Sequence, residues 1–259
     1  MISDIFHAVA YDPIYNLLVF LVGVIPGGSV GLAIILATVI VKVILFPLSI
    51  SAVRTQMVLK TVQPKIKEIQ ESLKDNREKM AQELMALYKK HKINPFSSLL
   101  LFIIQIPIII ALYLVFFREA FPEINTELLY TFVTIPDIIN LQFLGFIDVT
   151  ERSIVLALLA GVTQFFQVRY ALPAPGPKKE NASLQEDLMR NVQIQMRYMM
   201  PVLITVFAYI ISAAIALYFV TSNLFAIGQE LYMRKTVKKE QQNDTESEEK
   251  VAEVKEIKE

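Results

Sequence analysis

The chain has 259 residues, 54% of them hydrophobic, with a mean hydropathy of +0.47, and its 25 basic and 25 acidic side chains cancel to zero net charge. Long apolar stretches with the charges gathered between them indicate a polytopic membrane protein, not a soluble globule. The absence of cysteine excludes disulfides, thiolate metal or redox sites and a cysteine-anchored lipid.

The first segment, residues 1–28, holds Asp4 and Asp12 but neither Lys nor Arg. A cleaved secretory signal needs a basic start and an organelle transit peptide is arginine-rich, so the segment reads as neither. Its lack of positive charge directs the N-terminus outward. Ile14 to Ile25 is apolar, closed by Pro26-Gly27-Gly28 and too short to span. It reads as an interfacial helix on the outer side.

A first span is expected over 29–53. Val30 to Ile50 contains a single charge, Lys42, near the middle of the crossing. An ammonium at that depth costs at least about 2.5–3.5 kcal/mol and by default marks a functional site. Pro47 is expected to kink the span, because a helix-interior proline removes a backbone hydrogen bond.

Residues 54–96 hold no spanning run, and basic residues outnumber acidic ones. Ile66, Ile69 and Leu73 form one apolar stripe at helical spacing; Met80, Leu84 and Leu87 form another, with Asp75-Asn76 as a turn between them. The segment reads as a helical hairpin in water, cytoplasmic by the positive-inside rule.

Residues 97–117 make a second span, interrupted by Gln105 and Pro107, and 118–152 an acidic extracytoplasmic loop. A third span covers 153–172, with Arg169 able to snorkel at its inner end. Residues 173–197, with Pro173, Pro175, Gly176 and Pro177 near their start, are a cytoplasmic loop. Tyr198 to Met233 would form a helix of about 54 Å, too long for one crossing. One crossing would also leave Arg234, Lys235, Lys238 and Lys239 outside, so two short spans are expected, 198–212 and 213–233. Residues 234–259 are charged and poor in apolar side chains, and read as a disordered cytoplasmic tail. The fold class is therefore all-α: five spans, N-terminus out and C-terminus in.

Polar side chains recur at membrane depth: Thr38, Gln105, Thr163, Gln164, Gln167, Thr205, Ser212, Thr221, Ser222 and Asn223. Interhelical hydrogen bonds worth about 0.6 kcal/mol each explain most such residues. Lys42 differs. No Asp or Glu lies in the first four spans, and Glu230 sits near the cytoplasmic end of the last. An unpaired buried cation must lose its proton or meet water. A water-filled cavity lined by Lys42, Thr38, Gln105, Gln164, Gln167, Thr205, Ser222 and Asn223 is the economical expectation. A proton pump would show carboxylate relays, and a charged pore would show charges on several helices. His7 and His91 lie outside the spans, and no nucleophile–base pair, metal spacing or P-loop is present. Enzyme chemistry and cofactors are not expected. A small-anion transporter or channel using Lys42 stays open as an alternative, though internal repeats are lacking.

Several motifs in order carry a resemblance: Lys42-Val-Ile-Leu-Phe46-Pro47-Leu48, Val62-Gln63-Pro64-Lys65, Tyr88 to Pro95, Gln105-Ile106-Pro107, and Tyr218 to Asn223 followed by Gln229. Together they resemble the YidC/Oxa/Alb membrane protein insertases in their short form, without a large periplasmic domain. The resemblance implies a five-span core with a hydrophilic groove open to cytoplasm and lipid and closed outward, plus a cytoplasmic hairpin including Gln63, Pro64, Lys65, Lys74, Asp75, Asn76 and Arg77. Lys42 falls where the family carries an arginine; unlike Arg, Lys can lose its proton when desolvated. Implied partners are nascent membrane proteins and the bilayer, with the Sec translocon, signal recognition machinery and ribosome as further candidates and no direct nucleic-acid recognition. A pure assembly chaperone without insertase activity fits the same motifs. The bacterial plasma (inner) membrane is the implied location.

Overall fold

The computed structural model describes residues 2–74, 76–91, 96–118, 123–172 and 190–256, with backbone alone at 2–3, 56, 60, 96–102, 117–118 and 237–256. Among the described residues the protein is all-α apart from one two-stranded hairpin. Four helices among the described residues are long and apolar enough to cross a membrane, five if Val30–Ile44 and Phe46–Leu59 make one broken span. The chain forms two compact units: Met1–Phe46 with Leu99–Ile227, and Pro47–Ser98 with Gly228–Glu259.

The first unit begins with α1 (Ile2–Phe6), a π turn (His7–Tyr11) and α2 (Asp12–Val24). This continuous run is longer than the interfacial helix expected over Ile14–Ile25; Asp4–Val24 alone has the length and apolarity of a span. Pro13 reads as a helix start, yet the wider π turn ahead of it accommodates a ring that would clash with an α-helical carbonyl four residues earlier.

Ser29 caps α3 (Val30–Ile44), its side chain accepting from the Leu32 N–H at 3.4 Å. The expected first span, 29–53, is not one helix. It stops at Leu45 and restarts as α4 (Phe46–Ser72). Pro47 is the cause: it cannot donate to the carbonyl of Val43, and it is tolerated only in the first turn of the helix that restarts at Phe46. The kink expected at Pro47 is thus a complete break two residues earlier.

Gln105 and Pro107 lie in α6 (Phe96–Arg118), which continues through the proline. Strands β1 (Gln142–Phe143) and β2 (Ile147–Asp148) precede α7 (Ile154–Ala171), capped by Ser153. A helical run from Arg190 leads into α8 (Met200–Ile211). Extended Ser212 separates it from α9 (Ala213–Glu256). The helix break therefore falls at the 212/213 boundary expected from charge and length.

The acidic loop 123–152 is a clasp. Tyr15 accepts from the Asn125 N–H at 2.8 Å. Asn16 donates to the Leu128 carbonyl at 2.8 Å and accepts from the Tyr130 N–H at 2.6 Å. Asn140 bridges Gly28 and Val30 through its backbone. The carbonyls of Glu151 and Val149 accept from the N–H groups of Ala213 (2.6 Å) and Ala214 (2.8 Å), satisfying donors that the first turn of a helix leaves unpaired. The break at Ser212 is held by this backbone capping, which no local motif announces. The core of the unit joins Tyr15, Leu18, Val19 and Val22 of α2, Val30, Ala33 and Ile34 of α3, and Ala213 to Phe219 of α9.

In the second unit, α4 is followed after a short turn by α5 (Arg77–Lys90), capped by Asn76 accepting from the Lys79 N–H at 3.0 Å. Both apolar stripes, Ile66, Ile69, Leu73 and Met80, Leu84, Leu87, are half-buried between exposed charged positions. Met57 and Met233 form a small core with Ile50 and Val53, and Gln229 donates to Ser49 at 2.6 Å. The hairpin's first helix starts at Phe46, inside the stretch expected to be span. At the other end α9 continues to Glu256, where a disordered tail was expected from composition. Low hydrophobicity argues against a packed core, but Lys, Glu and Gln are good helix formers, and helix can simply propagate from the membrane segment.

Candidate functional site

Four helices converge on Lys42. The cap at Ser29 sets the phase of α3, so Ala37, Thr38, Val41, Lys42 and Leu45 share one face. Gln105, Ile108 and Leu112 face them from α6, Ile14 and Leu17 from α2, and Tyr218 from α9. Together they line a small cleft, with a cavity volume of about 20 Å³. Lys42 Nζ donates to Gln105 Oε1 at 3.1 Å, and Gln105 Nε2 donates to the Tyr218 hydroxyl. That hydroxyl also hydrogen-bonds Ser222, one turn along α9. A relay of side chains thus runs Lys42–Gln105–Tyr218–Ser222 across three helices. Among the described residues, no carboxylate lies within salt-bridge distance of Lys42.

The cleft differs in character from the cavity expected from composition. Its walls are mainly aliphatic, with Lys42, Gln105, Thr38 and Tyr218 as the polar members. Thr38 is present but turned on its own helix, donating to the Ile34 carbonyl at 2.7 Å.

Gln164, Gln167, Thr205 and Asn223 do not line this cleft. Asn223, buried, donates to the Ala160 carbonyl (3.4 Å) and to Thr163 Oγ1 (3.2 Å), joining α9 to α7. Thr205 donates to Pro201 at 2.9 Å and lies so close to Gly161 that a Cβ there would fall on its Oγ1. Gln164 donates to Gln167 at 3.3 Å along α7, and Thr221 bonds back to Leu217. Ser212 is buried at the α8–α9 break.

The hairpin residues belong to the second unit. Gln63 is half-buried; Pro64, Lys65, Lys74, Asn76 and Arg77 are exposed; Asp75 lies outside the described residues. Glu230, expected at the interface, is buried, with Arg234 Nε 3.4 Å from its Oε1. Among the described residues no group of three His, Asp or Glu is placed to hold a metal.

Tyr218 is the member of the relay that side-chain polarity alone did not single out. The available signal was its position four residues before Ser222, which puts both on one face of α9.

The family described as 60Kd inner membrane protein matches residues 21–241 of this chain. Among curated proteins the chain is similar to the membrane protein insertase YidC of Clostridium tetani, 35% identical over 84% of this chain and 87% of that protein. It is similar also to the protein of the same name from Oceanobacillus iheyensis, 31% identical over 90% of this chain and 85% of the other. The Shewanella woodyi protein of that name is 33% identical over 85% of this chain, which spans only 36% of its length. The relatives carry the name of an insertase and not of an enzyme, and the family match over residues 21–241 takes in the motifs of α3, α6 and α9. The chain belongs to the 60Kd inner membrane protein family, the family of the membrane protein insertases YidC.

Proposed function

We propose that this chain is a bacterial inner-membrane insertase and chaperone that places hydrophobic segments of nascent membrane proteins in the bilayer and carries their short polar flanks through the Lys42 cleft. The observation that carries this reading is the Lys42–Gln105–Tyr218 relay on a cleft with no carboxylate partner among the described residues. An ammonium has three donors, and Gln105 accepts one of them. The other two call for water or for an acidic or polar client segment. Aliphatic walls around them lower the local dielectric and strengthen attraction for a carboxylate.

The clasp supports closure toward the outside. Tyr15 and Asn16 meet the loop at 125–130, Gly23 approaches Pro136, and the backbone of Gly28 bonds Asn140. A helix that follows one extramembrane loop along its length lies in that loop's plane. We therefore take α2 as interfacial, N-terminus outside, with Ile14 and Leu17 forming the outer lid of the cleft. The exposed basic residues of α4 and α5 suit the cytoplasmic side. A client meets the hairpin first, and its apolar segment slides along α7 and α9 into lipid as the flank is drawn toward Lys42. Burial of client apolar area, about 25 cal/mol per Å², supplies the drive without a nucleotide.

Reconstituted or in-cell insertion of a client with an acidic outer tail tests this. Wild-type and Lys42→Arg should insert it, and Lys42→Glu should not. Normal insertion by Lys42→Ala would remove the role given to the charge. Anion flux in protein-only liposomes, absent under this reading, would instead favour a transporter.

A further inference from the structure

The tip of the hairpin between β1 and β2 pairs two observations that a water-facing loop does not call for. Leu144 and Gly145 occupy the central positions of a tight turn, with φ of 55° and 82°, closed by the Phe146 N–H donating to the Phe143 carbonyl at 3.3 Å. Turns with two left-handed residues favour Asn-Gly or Asp-Gly, and a γ-branched apolar residue with positive φ is disfavoured. Leu144 nevertheless stands there 69% exposed, beside Phe146 at 74%. In water both the backbone and the side chain would be better served by asparagine.

The height of the tip explains the choice. Phe143, adjacent to Leu144, packs on the first turn of α3, where a Cβ on Gly31 would come within 2.5 Å of its ring. The same loop binds Val30 through Asn140 and the start of α9 through Val149 and Glu151. These contacts fix 140–151 at the level where two apolar helices, α3 and α9, begin; the start of a membrane-spanning helix is where hydrocarbon gives way to headgroups. Residues 118–152 carry Arg only at their two ends, Arg118 and Arg152, against six acidic residues, so attraction to anionic headgroups does not account for the hold on the tip. Apolar insertion is left.

We propose that Leu144 and Phe146 form a wedge seated in the phospholipid leaflet that this loop faces, anchoring the clasp to the bilayer. The occupant is lipid acyl chain just below the headgroups, a depth of about 5–10 Å. The wedge makes the clasp's position depend on the bilayer surface, and through it the position of the helix ends the clasp caps.

The chain contains no tryptophan, so Phe146→Trp creates a sole indole fluorophore. Full-length protein carrying it, reconstituted into phosphatidylcholine vesicles, should emit at short wavelength. Lipid brominated high on the acyl chain should quench most of that emission, with equal strength when phosphatidylglycerol is added. A parallel Glu127→Trp protein, with the probe at an exposed polar position, should stay red-shifted and unquenched. Water-like emission from position 146 in both vesicle types would overturn the proposal. So would short-wavelength emission that bromolipid leaves unquenched and dilution of protein in the membrane abolishes, since a second copy would then cover the tip. Leu144→Asn supplies an independent sign test. It should raise the Tm of the detergent-solubilised protein by relieving the turn. Combined with Phe146→Trp, it should weaken bromolipid quenching of the indole in vesicles; an unchanged quenching profile would count against the wedge.

Discussion

Two polar clusters sit at membrane depth in the first unit, and they do different things with similar residues. At the α7–α9 seam, Asn223, Thr163 and the Ala160 carbonyl satisfy one another, and beside it Thr205 sits over Gly161 on α7. At the α3–α6–α9 cleft, the relay from Lys42 ends on an ammonium with Gln105 as its one hydrogen-bond partner among the described residues. The first cluster is a weld: its polarity is consumed in holding helices together. The second keeps a charge available beside open volume. A polar residue in a membrane helix thus carries function according to whether its hydrogen-bonding capacity is spent, which composition does not reveal.

Breaking each cluster should give distinct signatures. Lys42→Glu is expected to have the largest effect, lowering insertion of an acidic-tailed client on the order of 10–100-fold by turning attraction into repulsion, with little change in thermal stability. Gly161→Val should act the other way round, costing about 1–3 kcal/mol of stability by forcing α7 from Thr205. Thermal unfolding in detergent reads this, and adding Thr205→Ala should recover part of the loss. If Gly161→Val melted normally, the close α7–α8 contact would be wrong. Gln105→Leu should reduce insertion a few-fold while preserving the fold, because it removes the acceptor that orients Lys42. Asn223→Ala should be smallest, about 0.6 kcal/mol and at most about 1.7, with insertion otherwise intact. A larger insertion defect than stability defect at Asn223 would erase the distinction between weld and cleft.

Much of this was legible in the chain itself. A lone lysine stands out in the apolar run from Val30 to Ile50, and the fold sets it against Gln105 of the second apolar run; a helix break lies at Ser212. Hairpin stripes at three- and four-residue spacing match half-buried positions. What escaped notice was non-local or depended on continuity. Tyr218 reads as an ordinary aromatic until α9 is placed beside α6. Leu45 breaks α3 because of a proline two residues on, and hydropathy passes smoothly through that point. The clasp rests on backbone carbonyls of Val149 and Glu151, whose side chains say nothing of it. The helical tail follows from propagation, a property of the preceding segment more than of its own composition. Polarity at depth groups Gln164, Gln167, Thr205 and Asn223 with Lys42, and the cleft beside Lys42 is lined by other residues.

The central claim is that Lys42 borders water admitted from the cytoplasmic side alone. Because the chain has no cysteine, a thiol at Val41 or Leu45 is unique and leaves Lys42 in place. Membrane-impermeant maleimide applied to inverted vesicles should label either position, and applied to intact cells from outside should label neither. Labelling from outside, or no labelling from either side in protein shown to be folded, would contradict the account.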